Sequence, residues 1–396
     1  MTTARKKRNN IPEWIAALYM NLFVLIRPLL KIYSERSTLF LACAVLALIA
    51  IDLMLGNFRL NSEKILKLFG LAGVVSAVFV LDYVFRKNPF TWENYYYFII
   101  YGVISAFFLM NVTDVQKLLS CWTILAFIGG LTVLIDPMND YSISGDYMAF
   151  GMAIVPAFAA TLVLISFYKK KIFLPFSAAF FLEIVLFANR GSTLVAIVLL
   201  IFTVLFISGD KSKRVVRSVF IILITGIVLI LLDSIFEILF IVIDKLGMDS
   251  YSLRAFQNML NGLAGSDSGR IDIWNHAFYE IKNNFFLGMG IGGFESKYGN
   301  YAHNFFLDIL VTHGVLIGLA VFGLLFFMFR NTFRSKNRYF FILSSVMGVI
   351  WFTQLMSSQT YWKEALFWQF IILNMFLYED KLKQIGTMQR NGLCES

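Results

Sequence analysis

Residues 173–207 read FLPFSAAFFLEIVLFANRGSTLVAIVLLIFTVLFI, an apolar run broken only by Glu183 and by the tetrad Asn189-Arg190-Gly191-Ser192. As a single helix rising 1.5 Å per residue it would be about 50 Å long, against ~30 Å of bilayer hydrocarbon. The run must therefore be two helices joined at the tetrad, where Gly191 can take the left-handed conformation that ends one helix and Ser192 can cap the next. Counted from Lys171, Arg190 stands about 28 Å up, at the outer membrane surface. The fold class that follows is an all-α integral membrane protein.

Composition agrees. The chain has 396 residues, 59% of them hydrophobic and 15% charged, with a mean hydropathy of +0.72. In soluble domains about a quarter of residues are charged. Short alternating strands of the kind that build an outer-membrane barrel are not seen. Windows of about 20 residues give about twelve transmembrane helices. They cover 11–33, 38–55, 65–85, 95–110, 118–135, 147–168, 172–188, 192–208, 215–243, 303–329, 339–356 and 361–378. The first is weakened by Asn21 and Arg27 and reads as partly interfacial.

The formal charge of +9 comes from short Lys and Arg clusters between apolar segments, which argues for membrane topology and against a nucleic-acid partner. Arg5 to Arg8 precede an apolar stretch that lacks a small-residue cleavage site, so this segment is expected to stay in the mature chain. Basic residues mark the inner side. With the N-terminus inside, Lys64, Lys117, Lys169 to Lys171, Lys211 to Arg217 and Arg330 to Arg338 all fall inside, with Arg86 and Lys87 a local exception. Both termini are then cytoplasmic, and a large extracytoplasmic loop precedes the last three helices. The expected divisions are an N-terminal bundle of about nine spans (1–243), the loop with an amphipathic helix (244–302), the C-terminal helices (303–378) and a cytoplasmic tail (379–396). Cys43, Cys121 and Cys394 imply neither a disulfide framework nor a cysteine metal site.

The candidate chemistry lies on the outer side. Arginine beside hydrocarbon costs roughly 2.5–3.5 kcal/mol, so Arg190 is expected to face a cavity or partner as an anion clamp. The structural alternative is snorkelling to headgroups, or pairing with Glu183 seven residues back. In the loop, Ser266, Asp267 and Ser268 offer caps for a helix whose apolar face is Trp274, Ala277, Phe278 and Ile281, with Arg270 in its first turn. Two guanidinium groups on one side of the membrane can grip a diphosphate. Gly288, Gly290, Gly292 and Gly293 can add backbone N–H groups as an anion nest, although this motif is weak and its context is not that of a dinucleotide-binding turn. His303 opens the next span at its water-facing end, suited to take a proton near neutral pH, and Asn304 can orient the ring or a substrate. The alternative for His303 is a helix-end histidine held by its neighbours.

Asp308 is expected on another face, His313 to pack beside the small pair Gly314 and Gly318, and His276 to be solvated. Asp233 with Glu237, or Asp136, Asp140 and Asp146, could hold a cation or an arginine, but the sequence cannot show convergence and no metal is assigned. No cofactor motif is present.

With these residues in place, the chain resembles the bacterial O-antigen polymerase and ligase family. The resemblance rests on the helix number, the loop before the last three helices, Arg190-Gly191 at a tight turn, Gly269-Arg270 with Trp274, GMGIGGF ending at Phe294, and HNFFLDIL followed by Gly314. It implies a GT-C-like membrane glycosyltransferase in the bacterial cytoplasmic membrane that uses undecaprenyl-diphosphate-linked glycans as donor and acceptor. Arg190 and Arg270 would hold the diphosphate, and His303 would activate the acceptor hydroxyl, with no metal. Trp274, Asn304, Gly290, Gly292 and Glu183 would support the site, and a flippase and a chain-length regulator would be accessory partners. Asn189 stands where a serine is common and His313 where a bulky polar residue is. A polymerase is the expected activity. A ligase acting on lipid A core is the alternative, and a flippase or transporter is the alternative of another class, disfavoured by the one-sided polar site.

Overall fold

Hydrocarbon offers no hydrogen bonds, so a chain this apolar must pair each backbone N–H and C=O within its own segment, and helix is how it does so. A computed structural model describes residues 11–22, 24–25, 37–55, 62–134, 147–207, 269–357 and 359–378, with scattered positions between 216 and 245. Among them there is no strand. The helices are α1 (Ile11–Met20), α2 (Ser37–Met54), α3 (Ser62–Arg86), α4 (Phe90–Tyr97), α5 (Ser105–Leu109), α6 (Val115–Leu134), α7 (Tyr147–Ser166), α8 (Leu174–Phe187) and α9 (Arg190–Phe202), followed by α10 (Arg270–Asn283), α11 (Gly293–Tyr298), α12 (Phe305–Arg334), α13 (Arg338–Leu355) and α14 (Ala365–Phe376). A wider turn, Phe98–Ile104, joins α4 to α5.

Of the twelve expected spans, five among the described residues are long and apolar enough to cross a membrane: Ser62–Arg86, Val115–Leu134, Arg190–Ile207, Phe305–Arg334 and Arg338–Leu355. Shorter apolar helices lie at Ala42–Met54, Ala153–Ser166 and Ala365–Phe376. The protein is a multi-pass membrane protein. The basic cluster at 5–8, Arg27, the aspartates at 136–146, the cluster at 211–214, Asp233, most of the expected span 215–243, loop residues 246–268 and the tail 379–396 lie outside the described residues.

Helix ends meet in two sets. At one end Lys64 donates to the Met110 carbonyl (2.6 Å) and Lys67 to that of Met375 (3.2 Å), Ser120 meets Tyr168 (2.8 Å), and Arg338 donates to Ile207 (3.1 Å). At the other, Arg86 meets Gly288, Lys363 meets Glu93 (2.7 Å) and His313 meets Tyr361 (2.7 Å). α13 runs through the middle, with Trp351 fully buried among Phe305, Phe367 and Phe370. Thr332, Ser344 and Asn374 satisfy one another within this apolar core (2.8 and 3.1 Å). α3 is peripheral and turns Leu66, Phe69 and Phe85 outward, as a lipid-facing helix would.

The break in 173–207 falls where the sequence places it, but with different caps. α8 stops at Phe187, Ala188 is extended, and the N-cap of α9 is Asn189, whose side chain accepts from the Ser192 N–H (2.9 Å) and hydroxyl (2.5 Å). Gly191 is helical, not left-handed. A Cβ on it would meet Ser357 Oγ at 2.5 Å, so glycine serves close packing there, not turn geometry.

The expected span 303–329 is also different. α12 covers 30 residues and is kinked at Gly314, which takes φ 69°, ψ −179°. Only glycine is at ease in that region. The small pair Gly314 and Gly318 serves close packing at the kink, where the arm before Gly314 folds back on the arm after it. Gly314 lies against the Phe286 carbonyl and Gly288 N–H of the loop, and Gly318 against Leu310 on the other side of the kink. Gly314→Ala would put a Cβ into the Phe286 carbonyl and strain the backbone. It is expected to destabilise the protein by about 2–4 kcal/mol, read as a lowered thermal midpoint of the detergent-solubilised chain.

Candidate active site

α10 begins at Arg270 behind Gly269, which is left-handed (φ 70°) and so re-aims the chain at the helix entry. Its buried stripe is Ile273, Trp274, Ala277, Glu280 and Ile281, packed on Phe294, Ala302, Leu307 and Val311. Phe278, expected on this stripe, is 60% exposed. Glu280 takes the inward position because it has work there. Its carboxylate accepts from Lys297 (2.6 Å), Tyr298 (2.6 Å) and Asn284 (3.0 Å), tying α11 to α10. Burial alone would raise this carboxyl. The hydrogen bonds from Lys297, Tyr298 and Asn284 outweigh it and hold the pKa below its ordinary value. His276 is exposed, as expected, and stacks on Tyr298 at 4.5 Å.

Between α10 and α11 the glycine loop lies along the kinked part of α12. The N–H groups of Met289 and Gly290 donate to the carbonyls of Val311 (2.7 Å) and Thr312 (2.9 Å), and Val315 N–H donates to Phe285 (2.8 Å). Ile291 N–H donates to Asp82 (3.0 Å), and its carbonyl accepts from Thr91 (3.0 Å) and Asn88 (3.2 Å). The N–H groups of Met289, Gly290 and Ile291 are thus spent on the protein. A Cβ on Gly290 would meet Asp82 Oδ1 at 2.5 Å, and one on Gly292 would meet Phe90 at 2.6 Å. Both glycines serve close approach to α3 and α4.

Arg86 explains its own exception to the charge pattern. Its guanidinium donates to Gly288 (2.8 Å) and Leu287 (2.9 Å) and lies 3.7 Å from Asp82, clamping the loop to the end of α3. Sequence reasoning did not assign Arg86 or Asp82 to this region. The one available signal was a basic residue on the poor side of the charge count, with an acid four residues before it.

Where the loop returns to α12, His303 has φ 52°, an uncommon conformation for a residue with a side chain. Its ring lies 4.2 Å from Tyr301. Its Nδ1 is buried and has no hydrogen-bond partner among the described residues, and the same holds for Trp274 Nε1. Burial, with the nearby positive charge of Arg270, lowers the His303 pKa to about 4. The ring is neutral over the physiological range and can accept a proton. Asn304 is the N-cap of α12, its carbonyl oxygen accepting from Phe306 (3.0 Å) and Leu307 (3.2 Å). It sets the helix entry immediately after the histidine.

Arg270 and His303 are thus brought together across 33 residues of chain. Arg190 is the first residue of α9 and is partly buried in the turn beside Ser357, at the same end of the bundle as the loop. Both arginines sit at a helix N-terminus, where the helix dipole adds to the side-chain charge. Glu183 is partly buried on α8, and its Oε2 makes no hydrogen bond among the described residues. His313 packs as expected, held by Tyr361 and beside Trp362. Asp308 is buried on the inner face of α12 beside Thr360 and Tyr361.

A family model described as O-Antigen ligase matches residues 175–322. That interval contains every candidate residue named above: Glu183, Arg190, Arg270, Trp274, Gly290, Gly292, His303 and Asn304. The match supports the O-antigen polymerase and ligase family for this chain. Comparison with curated proteins finds no match.

Glu280→Ala would remove the acceptor that Lys297, Tyr298 and Asn284 share and so loosen α11 from α10, seen as a lowered thermal midpoint. The pH response carries a sign. A carboxyl held below its ordinary value of 4.5 contributes stability above that pH and loses it as pH falls through the folded value. The wild-type midpoint should drop below pH 4.5, and Glu280→Gln should lose that part of the drop.

Proposed function

From the O-antigen polymerase and ligase family as premise, we propose that the protein is a polysaccharide polymerase of the bacterial cytoplasmic membrane. It transfers a growing glycan from undecaprenyl diphosphate to a sugar hydroxyl of another lipid-linked repeat on the outer face. Both termini are cytoplasmic in this reading, and the four divisions 1–243, 244–302, 303–378 and 379–396 stand as stated. The observation that carries it is the neutral, partly desolvated His303 beside Arg270, with two unpartnered polar atoms, His303 Nδ1 and Trp274 Nε1, in one wall of the loop. Buried polar atoms without partners are uncommon, and a sugar offers the hydroxyls to satisfy them.

His303 accepts the proton of the acceptor hydroxyl as its oxygen bonds to the anomeric carbon of the donor. The bond from that carbon to the diphosphate oxygen breaks, and its electron pair leaves on undecaprenyl diphosphate. Arg190 and Arg270 stabilise the charge that builds there. Diphosphate is a good leaving group, so arginines and one base suffice without a metal. Glu183 and Asn304 support this arrangement from the second rank, Glu183 along α8 below Arg190 and Asn304 by fixing the entry to α12. A flippase would supply the lipid-linked repeats and a chain-length regulator would act on the product.

The ligase reading remains the alternative, since the matched family carries that description. The two differ in the acceptor. The family match lends no support to a flippase or transporter.

The test uses the full chain in nanodiscs with synthetic undecaprenyl-diphosphate-linked repeats. Extension to longer glycans is expected, undiminished by EDTA. His303→Ala and Arg270→Ala should each lower kcat by about 10²–10³-fold. Extension at the wild-type rate by both variants would reject the site, and transfer only to lipid A core would replace polymerase by ligase. The acid limb of kcat/KM should lie near pH 4. Arg270→Gln removes a positive neighbour and so favours the protonated ring, which should move that limb upward.

A further inference from the structure

The loop carries an apolar surface that the reaction does not use. We propose that residues 285–287, Phe-Phe-Leu, with the outward face of α10, form a membrane-dipping tip seated in the headgroup and acyl-chain boundary of the bilayer leaflet on the loop's side.

Two helices act as independent rulers. α12 folds back at Gly314, because Phe305 and Phe306 pack on Phe322 and Gly318 lies against Leu310, so its two arms run side by side. Its kink at Gly314 divides it, and residues 315–334 measure about 30 Å, the thickness of the core. The arm after the kink turns apolar side chains outward from its first turn, with Leu316 60% and Leu319 62% exposed. The membrane surface therefore lies near Gly314. α3 gives the same height. From Lys64 to Arg86 is about 33 Å, and the Arg86 guanidinium ends on the carbonyls of Leu287 and Gly288. Gly314 in turn lies against Phe286 and Gly288.

At that height the loop turns its largest apolar side chains outward. Phe285, Phe286 and Leu287 are 48%, 63% and 62% exposed, and Phe278 and Tyr279 on α10 are 60% and 59%. The backbone is prepared for a place poor in water, because Phe285 O accepts from Val315, and Leu287 O and Gly288 O accept from Arg86. Irregular backbone is tolerated at membrane depth where its polar groups are met by protein. Aromatic rings at such a boundary are the usual anchors.

The test is independent of activity, so its failure would leave the proposed transferase reading untouched. Cys43, which is exposed, and Cys394 are replaced by serine, Cys121 is left buried, and a nitroxide is attached through Phe286→Cys in the full chain in nanodiscs. Phe278→Cys gives a second site should the first variant misfold, and Asn300→Cys, exposed at the far end of the loop, is the aqueous reference. Oxygen collisions exceeding those of a water-soluble nickel complex by several-fold at 286 and 278, with the reverse at 300, are expected. A nickel accessibility at 286 equal to that at 300 would overturn the proposal. So would protection of 286 from both reagents, which would indicate a protein cover, or dipolar broadening between labels, which would indicate a second copy.

Discussion

Gly288 and Gly314 allow two backbones to touch where side chains would hold them apart. A Cβ on Gly288 would lie 2.5 Å from the Gly314 nitrogen and from the Thr312 carbonyl, and one on Gly314 would strike the Phe286 carbonyl. Through this contact the loop lies along the first turns of α12 and exchanges hydrogen bonds with residues 311–315. The kink in α12 follows from the same place. Asp82 and Arg86 then fasten the loop to α3, some 200 residues away in sequence. α10, α11 and the return strand of chain to His303 are fixed by what this seam allows.

The electrostatics of the candidate site rest on that seam. Arg270 opens α10 and His303 precedes α12, so packing one helix on the other brings a guanidinium to an imidazole. Like charge and burial both keep the ring neutral. An anion bound between them would reverse one of these terms, since its charge would offset the guanidinium and ease protonation of the histidine as the leaving group departs. The second arginine, Arg190, is held by a different device, the Asn189 cap with its two bonds to Ser192. Both cations project from helix starts, and in each case the helix dipole has the same sign as the side chain.

The glycine loop and the histidine loop also differ in how they spend polar groups. Residues 288–291 turn their N–H groups to carbonyls and to Asp82, leaving little for a ligand. Trp274 and His303 do the opposite and keep buried polar atoms without partners among the described residues.

Length and apolarity determined, from the sequence alone, that the chain is helical and membrane-spanning, that 173–207 must break in two, and that Arg190 stands at the break. Those conclusions are local, because a rise of 1.5 Å per residue and a fixed hydrocarbon thickness leave few choices. The ordered motifs also pointed to the family whose model matches residues 175–322, and Arg270 and His303 were legible as polar residues at helix starts. Only the tertiary structure decided what each surrounding residue does. It made Asn189 rather than Ser192 the cap, committed the Gly290 N–H to the Thr312 carbonyl, put Glu280 in the stripe in place of Phe278, and gave Arg86 a role. Each of these depends on which backbones approach across tens to hundreds of residues, and no local period or propensity carries that information.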